Sequence, residues 1–373
     1  MKPETAAIHA GQQIDPSTGA VTQPIYMSTT YERATDGEYP LGYIYGRDNN
    51  PNRKLIETRI AQLEHGAEAV AFASGSVVMM SIFQALSTGD HVIMPDDIYF
   101  GIRAIMNEFF VPWGLQVDFV DMTDLDSVRM ALRHNTRLIV LETPSNPQLK
   151  VTDISAIVAI AKDTGAMVLC DNTLPTPILQ TPLDLGCDLV VHATTKYIGG
   201  HSDVLGGIVV SKEDNDFYQR IRRIQQLGGA IPSPFDCWLL QRGLQTLPVR
   251  MRMIDENALK VAEFLESHAQ VEQVLYPMLE SHNDYAVAKK QMRGGGGLLS
   301  FLFKGDEAQT MQVVAKVKLF TRATSFGGTH SLIEHRASIE SPDSKTPRNL
   351  IRMSIGLEHV DDLIADLEQA LQD

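Results

Sequence analysis

Short apolar segments alternate with segments of helical periodicity from residue 68 to residue 195, and this alternation constrains the fold more than any other feature. Strand-like runs such as AVAFAS, HVIMPD and RLIVLETP are each followed by a helical run, for example VVMMSIFQAL after the first. Strands that alternate with helices predict a mostly parallel sheet with helices on both faces. The chain is therefore predicted to have an α/β fold.

Polar residues follow the predicted strands where each strand ends. They fall at Ser74–Ser76, Asp97–Tyr99, Thr143–Asn146, Asp171–Thr173 and Lys196. The carboxyl ends of parallel strands meet at one edge of a sheet, and ligands of such sheets bind outside that edge. The sequence therefore predicts that these residues converge on a single site.

Three regions are predicted along the chain. Residues 1–50 are irregular and rich in Thr, Pro, Tyr and Gly, so we interpret them as an arm that packs on another surface. Residues 51–235 carry the α/β pattern and form the large domain. Residues 236–373 are interpreted as a smaller α+β domain, with a long helix that Pro248 should kink or break, strand-like runs (VEQVLYP, LLSFLF, LFTRATSF, LIRMSIG) and a closing helix. GGGG at 294–297 precedes a strand, so we interpret it as a turn and not a phosphate loop.

Composition narrows the class of partner. The net charge of −14 argues against nucleic acid or an anionic membrane as the main partner, although a local basic pocket remains compatible with it. The three cysteines have no metal-binding spacing and are typical of a reducing compartment. No apolar run reaches membrane-spanning length, and the first residues lack a signal-peptide core. We expect a cytoplasmic protein without a bound metal.

Lys196 and Asp171 are the residues that point to a specific chemistry. Lys196 follows an apolar run and is surrounded by small hydroxyl residues and glycines, and Asp171 ends an earlier strand. Pyridoxal phosphate needs a lysine that binds its aldehyde and an acid that keeps its pyridine nitrogen protonated. A surface lysine in a loop is the competing interpretation, and the crowded neighbourhood of Lys196 disfavours it. The sequence thus predicts pyridoxal 5'-phosphate as cofactor.

Small residues next to this pair are candidates for binding the phosphate. Gly75 and Ser76 lie at a strand–helix turn, where free backbone N–H groups bind anions. Thr194 and Thr195 precede the lysine and could supply hydroxyl groups. Taken alone, small residues at such a turn are also typical of ordinary turn structure.

Five further residues are candidates on weaker grounds. Tyr99 could stack on a flat ring and exchange a proton, Asn146 could bind a phenolic oxygen, and Arg352 in an apolar strand could bind a substrate carboxylate. Tyr45 and Arg47 lie in the arm, where an arginine suits a phosphate of another subunit. The alternatives are core packing for Tyr99, a simple turn for Asn146 and a structural salt bridge for Arg352. For the residues in the arm the alternative is a surface ion pair.

The combination of motifs resembles the Cys/Met-metabolism family of pyridoxal-phosphate enzymes, which includes cystathionine γ-synthases and cystathionine γ-lyases. The resemblance covers nearly the whole chain through the motifs ETAAIHAGQ, YIYGRDNNPN, FASGS, ETPSNP, CDNT, TTKYIGGHSD, SFGGTHSLIEH and RMSIGLEHVDDLIADL. It implies the aspartate-aminotransferase-type fold (fold type I). It also implies a homotetramer, built from dimers that share their active sites.

The resemblance also implies roles for individual residues. Lys196 matches the cofactor lysine that moves protons between substrate carbons, and Asp171 matches the acid at the pyridine nitrogen. Arg352 matches the ligand of the α-carboxylate, and Ser325 a serine that positions lysine and carboxylate. Tyr99 matches a ring-stacking tyrosine, and Gly75, Ser76 and Thr195 match phosphate ligands. Tyr45 and Arg47 match a pair donated by the neighbouring subunit, and Asn146 matches a partner of the ring oxygen.

Some positions depart from the family pattern. Ala193 stands where serine is common, and the cysteine associated with methionine γ-lyase is absent after Tyr99. His330 replaces an acid near the substrate side, Arg336 a frequent proline, and Arg103 lies near a usual aromatic. We hypothesise that these changes make the substrate pocket more positive and suit a substrate with a distal anion. The alternative is that both arginines pair with acids at the surface.

The resemblance implies a transsulfuration enzyme that acts on small amino acids at the γ-carbon of a homoserine ester or of cystathionine. A cystathionine β-lyase or a methionine γ-lyase-type carbon–sulfur lyase is the alternative, since the same residues serve all these reactions. A pyridoxal-phosphate aminotransferase would use the same lysine and aspartate, but YIYGR and SFGG point away from it.

Overall fold

A computed structural model describes residues 1–340 and 346–372. Seven strands form the larger sheet in the order β1-β7-β6-β5-β4-β2-β3. They are β1 (Glu68–Phe72), β2 (His91–Pro95), β3 (Gln116–Val120), β4 (Thr136–Glu142), β5 (Met167–Asp171), β6 (Leu189–His192) and β7 (Gly207–Ser211). All pairings are parallel except those of β7 with β1 and β6. The prediction of a mostly parallel α/β sheet is confirmed, whereas the antiparallel β7 was not predicted.

Helices cover both faces of this sheet, and local sequence signals set their ends. The helices up to β7 are α1 (Pro3–His9), α2 (Pro51–Glu64), α3 (Gly75–Gln84), α4 (Phe100–Ile105) with a π-helical turn at Met106–Phe110, α5 (Leu125–Ala131), α6 (Ile154–Ala161) and α7 (Thr176–Leu179). The Asn50 side chain accepts the first N–H groups of α2, and Ser74 caps α3 in the same way. Two separate apolar cores lie on the opposite faces of the sheet.

The arm is less irregular than its sequence predicts. Helix α1 buries Ala6 and Ala7 against α2. Arg59 of α2 donates hydrogen bonds to the carbonyl groups of Ile8 and Ala10, at 2.9 and 3.0 Å. A helix this short has little intrinsic stability, so tertiary packing decides whether it forms. The prediction that residues 1–50 are irregular throughout is therefore wrong at α1.

After β7 the chain builds three long helices and a second sheet. The helices are α8 (Asp216–Gly228), α9 (Pro234–Gln245) and α10 (Leu247–Ser267). Pro248 lies in the first turn of α10, where its missing N–H breaks no helical hydrogen bond. The predicted break at this proline is confirmed.

The second sheet has five strands in the order β10-β11-β12-β9-β8. They are β8 (Val271–Leu275), β9 (Leu298–Phe303), β10 (Thr321–Arg322), β11 (Leu332–His335) and β12 (Leu350–Ser354), with α11 (Tyr285–Gln291), α12 (Glu307–Lys316), a 3₁₀ turn (Arg336–Ile339) and α13 (Val360–Leu371). The run LFTRATSF pairs only at its TR dipeptide, and LIEH supplies a strand that was not predicted. The four glycines at 294–297 form a loop before β9, as predicted. In the described ranges, no helix is long and apolar enough to span a bilayer.

Candidate active site

A cavity of about 450 Å³ opens at the carboxyl ends of β4, β5 and β6. The start of α3 and the loop after β2 complete one side, and the second sheet closes the other through the segment before β11 and through β12. Nine of the residues singled out from the sequence line this cavity, namely Gly75, Ser76, Tyr99, Asn146, Asp171, Thr195, Lys196, Ser325 and Arg352. The predicted convergence at this edge of the sheet is present in the structure.

Lys196 lies half-buried at the base of the cavity. Its Nζ donates a hydrogen bond to Ser325 Oγ at 2.8 Å and lies 4.8 Å from the centre of the Phe326 ring. Burial and the charges of Arg352 and Arg336 together lower the pKa of Lys196 to about 8, against the opposing effect of Glu334. The lowered pKa makes the unprotonated amine, which a nucleophile or base requires, more accessible near neutral pH than for an exposed lysine.

Asp171 and Glu142 end adjacent parallel strands and face each other in register. Asp171 accepts a hydrogen bond from the Thr173 N–H at 2.9 Å. Burial raises the pKa of Asp171, whereas this hydrogen bond lowers it. Burial and the neighbouring Asp171 raise the pKa of Glu142 well above its usual value. Glu142 Oε2 also accepts a hydrogen bond from the Tyr99 N–H at 3.0 Å. Two carboxyl groups at this spacing disfavour double ionisation, which suits a site that receives a cationic ring nitrogen.

The start of α3 forms a narrow cradle next to Lys196. A Cβ added at Gly75 would lie 3.0 Å from the Ala193 side chain, so the small residues keep this corner open. Thr195 Oγ1 accepts a hydrogen bond from the Gly206 N–H at 3.0 Å and also borders the cavity. Backbone N–H groups at a helix start together with such a hydroxyl group suit a phosphate.

Thr194 lies outside this cradle. Its side chain is 1% exposed and packs against Gly206, and it does not border the cavity. The structure therefore separates Thr194 from the other predicted phosphate ligands. Residues 194–199 form turns, within which Thr194 packs inward while Thr195 borders the cavity.

Arg352 is held from three directions. Its Nη1 donates to Asn146 Oδ1 at 2.9 Å, and its Nη2 donates to the Ser325 carbonyl oxygen at 3.0 Å. Nη2 also forms an ion pair with Glu334. Burial lowers the pKa of Arg352 to about 10, so the group stays cationic at neutral pH. Arg352 is a member of a structural salt bridge and also borders the cavity, and its role towards a substrate carboxylate stays a prediction.

Three predicted residues lie away from the cavity of their own chain. Tyr45 is 41% exposed, and the Arg47 Nη1 donates to the Gln226 carbonyl oxygen and pairs with Asp48. His330 is exposed and does not border the cavity. Their predicted roles towards cofactor and substrate stay predictions.

The two arginines of this hypothesis have partners within the protein, and the more positive pocket stays a prediction. Arg336 is 4% exposed and pairs with Glu334 and Glu340 at 3.0 and 2.6 Å. Arg103 donates to the Asp96 carbonyl oxygen at 2.5 Å and lies over the Phe119 ring. Arg336 therefore pairs with acids as the alternative proposed, but inside the protein and not at the surface. The hydrogen bond of Arg103 goes to a backbone carbonyl group.

Sequence reasoning missed two acids of the site. Glu142 opens the motif ETPSNP and ends β4, so strand register with Asp171 would have identified it. Glu334 lies on β11, a strand that was not predicted, and only the pairing of β11 with β12 brings it to Arg352. Because no local pattern marks Glu334, only the three-dimensional fold reveals its role.

The cavity therefore contains each element that a pyridoxal phosphate requires. It has an amine of lowered pKa, a buried acid, a helix start for the phosphate and an aromatic ring at the mouth. Among the residues described, no cluster of His, Cys, Asp and Glu could hold a metal ion.

Comparison with known proteins agrees with this chemistry. Residues 4–372 match the family described as Cys/Met metabolism PLP-dependent enzyme. The chain is 45% identical to a cystathionine gamma-synthase of Mycobacterium tuberculosis, over 99% of this chain and 96% of that protein. It is 43% identical to a cystathionine beta-lyase of Coxiella burnetii, over 99% and 97%. The crystal structure of metB from Corynebacterium glutamicum superposes with a TM-score of 0.97 at 42% identity, covering 100% of this chain and 98% of that one.

The chain belongs to the Cys/Met-metabolism family of pyridoxal-phosphate-dependent enzymes. Its fold is accordingly fold type I, and its cofactor is pyridoxal phosphate. The predictions of family, fold class and cofactor are confirmed.

Proposed function

We propose that this enzyme acts at the γ-carbon of a homoserine ester or of cystathionine, as a cystathionine γ-synthase or γ-lyase. The position of Lys196 carries the proposal. Its amine has a pKa lowered to about 8 and lies beside the arginine that suits a substrate carboxylate. Chemistry at the γ-carbon needs one mobile base that reaches Cα and Cβ in turn, and a flexible lysine side chain at the cavity base meets this need.

Arg352 is the proposed ligand of the substrate's α-carboxylate. A guanidinium binds a carboxylate through two parallel hydrogen bonds, and Asn146 and the Ser325 carbonyl oxygen orient this one. The bound substrate then presents its Cα proton to Lys196, which Ser325 positions. Arg352 thus fixes which end of the amino acid lies next to the base.

The cofactor's proposed ligands follow from the same geometry. Gly75, Ser76 and Thr195 would bind the phosphate, Asp171 the ring nitrogen, and Tyr99 would cover the ring. Bound pyridoxal phosphate supplies an electron sink for the negative charge that forms when the Cα proton leaves.

The protein's own part in the reaction is the movement of protons. Lys196 removes the proton from Cα and afterwards one from Cβ, which allows the γ-substituent to leave. Tyr99 stands at the cavity mouth, where its hydroxyl group would exchange a proton with the leaving group or the entering thiol. Addition of a thiol at Cγ and return of the protons to Cβ and Cα give replacement. Release without addition, followed by hydrolysis with water, gives an oxo acid and ammonia.

Product analysis tests the proposal. The purified holoenzyme is given O-succinylhomoserine with cysteine and, separately, cystathionine, and Lys196→Ala serves as the control. Cystathionine from the ester supports γ-synthase activity, and oxobutyrate with cysteine from cystathionine supports γ-lyase activity. Pyruvate with homocysteine would instead favour the β-lyase reaction that the Coxiella burnetii relative is named for. Consumption of an oxo acid as amino acceptor would favour an aminotransferase.

The assembly and location are proposals as well. Exposed apolar side chains in the arm, with Met27 at 66% and Leu41 at 85%, support a second copy of the chain as their cover. We therefore propose a homotetramer in which Tyr45 and Arg47 reach the neighbouring subunit's cavity. We also propose domain boundaries at 50/51 and 235/236, and a cytoplasmic location. Sedimentation analysis of the holoenzyme tests the tetramer.

A further inference from the structure

Arg336 lies between two cavities and is held by two glutamates. It opens the 3₁₀ turn directly after β11, and its side chain is 5% exposed. It borders both the cavity that contains Lys196 and a neighbouring cavity of about 640 Å³. Its Nη1 lies 3.0 Å from Glu334 Oε1, and its Nε lies 2.6 Å from Glu340 Oε1.

Glu334 is shared between two arginines. Its Oε1 contacts Arg352 as well as Arg336, and strand register places it directly opposite Arg352. Its second oxygen is buried and accepts no hydrogen bond from the residues that the structure describes. Glu334 is therefore a strong competitor for the guanidinium that faces the substrate.

Two positive and two negative side chains of the described residues form this network. Arg336 and Arg352 stand against Glu334 and Glu340, and burial makes an unpaired charge costly. A substrate carboxylate adds a negative charge next to Arg352. If Arg352 were the single cation there, Glu334 and the substrate would have to share it, and the like charges would repel each other.

We propose that Arg336 is a positioning residue for substrate recognition, because it retains Glu334 while the substrate's α-carboxylate binds Arg352. Glu340 orients Arg336, and the Thr346 hydroxyl group in turn donates to Glu340 Oε2 at 2.7 Å. The inference rests on the proposed role of Arg352 as the carboxylate ligand. Arg336 acts through Glu334 and Arg352, and it makes the enzyme more selective for amino acids with a free carboxylate.

The test compares an amino-acid substrate with its α-carboxamide, which lacks the negative charge. Arg336→Met removes the positive charge at similar side-chain length. We expect its KM for the free acid to rise ~10-fold with kcat changed ~2-fold or less, because charged hydrogen bonds carry effects of this size. The KM for the carboxamide should stay within ~2-fold, so the preference for the acid should fall ~10-fold. Damage to the cavity rim alone would affect both substrates equally.

A second variant provides a rescue. Arg336→Met/Glu334→Gln removes one charge of each sign, keeps the buried network neutral and should recover most of the lost preference. This double variant and Arg336→Lys, which should retain most of the preference, carry the test if Arg336→Met does not fold. Arg129→Met, which breaks an exposed pair with Asp126 elsewhere, should leave KM unchanged.

Each outcome has a defined meaning. A wild-type preference for the acid in folded Arg336→Met, or no recovery in the double variant, overturns the inference. Arg352→Met separates this inference from the proposed function. If Arg352→Met loses the preference and Arg336→Met keeps it, only the role of Arg336 fails. If Arg352→Met also keeps it, the proposed role of Arg352 fails.

Discussion

Lys196 Nζ donates a hydrogen bond to Ser325 Oγ at 2.8 Å, and this bond joins residues 129 positions apart in the chain. The lysine follows β6 of the larger sheet, and the serine precedes β11 of the second sheet. The backbone of Ser325 also accepts from Arg352 at 3.0 Å. Ser325 therefore connects the base of the cavity to Arg352, the proposed ligand of the substrate carboxylate.

Removal of this hydroxyl group should impair proton transfer more than substrate binding. We expect Ser325→Ala to lower kcat ~10-fold, about 1.4 kcal/mol, since a hydrogen bond to a charged group contributes on this scale. KM should change little because the Ser325 carbonyl oxygen still orients Arg352. Steady-state kinetics with Ser325→Cys as the control checks the prediction, because cysteine keeps an acceptor atom and lacks the β-branching that the positive φ of 83° would strain. A fall in kcat of the same size in both variants would contradict it.

The lowered pKa of Lys196 should be visible when the cofactor is restored to the apoprotein. Cofactor binding to lysine requires the unprotonated amine, so its rate should rise with pH and level off above a midpoint near the lysine pKa of about 8. Arg352→Met removes a cation that lowers this pKa, and the midpoint should then move to higher pH. Stopped-flow absorbance over a pH series measures both midpoints. An unchanged or lower midpoint in Arg352→Met would show that the arginine does not act on the amine.

Glu142 should make folding less favourable as pH rises. The folded pKa of this carboxyl group is raised above its unfolded value, so the folded state binds the proton more tightly. This contribution favours folding below the unfolded pKa and is lost as pH rises through the folded pKa. Glu142→Gln keeps an acceptor for the Tyr99 N–H and should raise the free energy of unfolding of the apoprotein more at pH 8 than at pH 5.

Urea unfolding of the apoprotein at both pH values measures this difference. Glu142→Ala, which also removes the acceptor of the Tyr99 N–H, serves as the comparison. A Gln variant that is stabilised equally at both pH values would rule out a raised pKa for Glu142.

The proposed sharing of active sites between subunits predicts complementation between inactive variants. Lys196→Ala should lose at least ~10²-fold in kcat as a proton-transfer variant, and Arg47→Ala should lose cofactor affinity. Refolding the two together should produce mixed dimers in which one cavity has an intact Lys196 and an intact Arg47 from its neighbour. Activity that appears only after mixing confirms the exchange. Its absence, with mixed dimers demonstrated by mass spectrometry, would contradict a role for Arg47 across the interface.

Much of this site was predictable because it follows strand ends. Asp171, Asn146 and Lys196 each come directly after an apolar run, so strand periodicity alone brings them to one edge of the sheet. β7 escaped prediction because its short apolar run follows glycines and has no helix before it to mark a crossover. The helix α1 escaped because packing against α2 stabilises it, which the sequence pattern does not encode.

The second sheet was less predictable. The contact between Glu334 and Arg352 depends on antiparallel pairing of β11 with β12, and neither residue has a local motif that indicates the other. The burial of Arg336 likewise depends on two acids whose distance from it in space is set by the chain fold. Side-chain pairing of this kind is a tertiary property, so charge counted along the sequence does not give the net charge of the pocket.

The most direct test of the account is to run the replacement reaction in D₂O. If Lys196 moves protons at both carbons, cystathionine formed from O-succinylhomoserine and cysteine should contain deuterium at Cα and Cβ, since the lysine ammonium exchanges with solvent. Lys196→Ala should form no product. Mass spectrometry and NMR of the product give the positions. Cystathionine without deuterium at Cβ, or undiminished turnover in Lys196→Ala, would contradict the assignment of Lys196 as the base for γ-carbon chemistry.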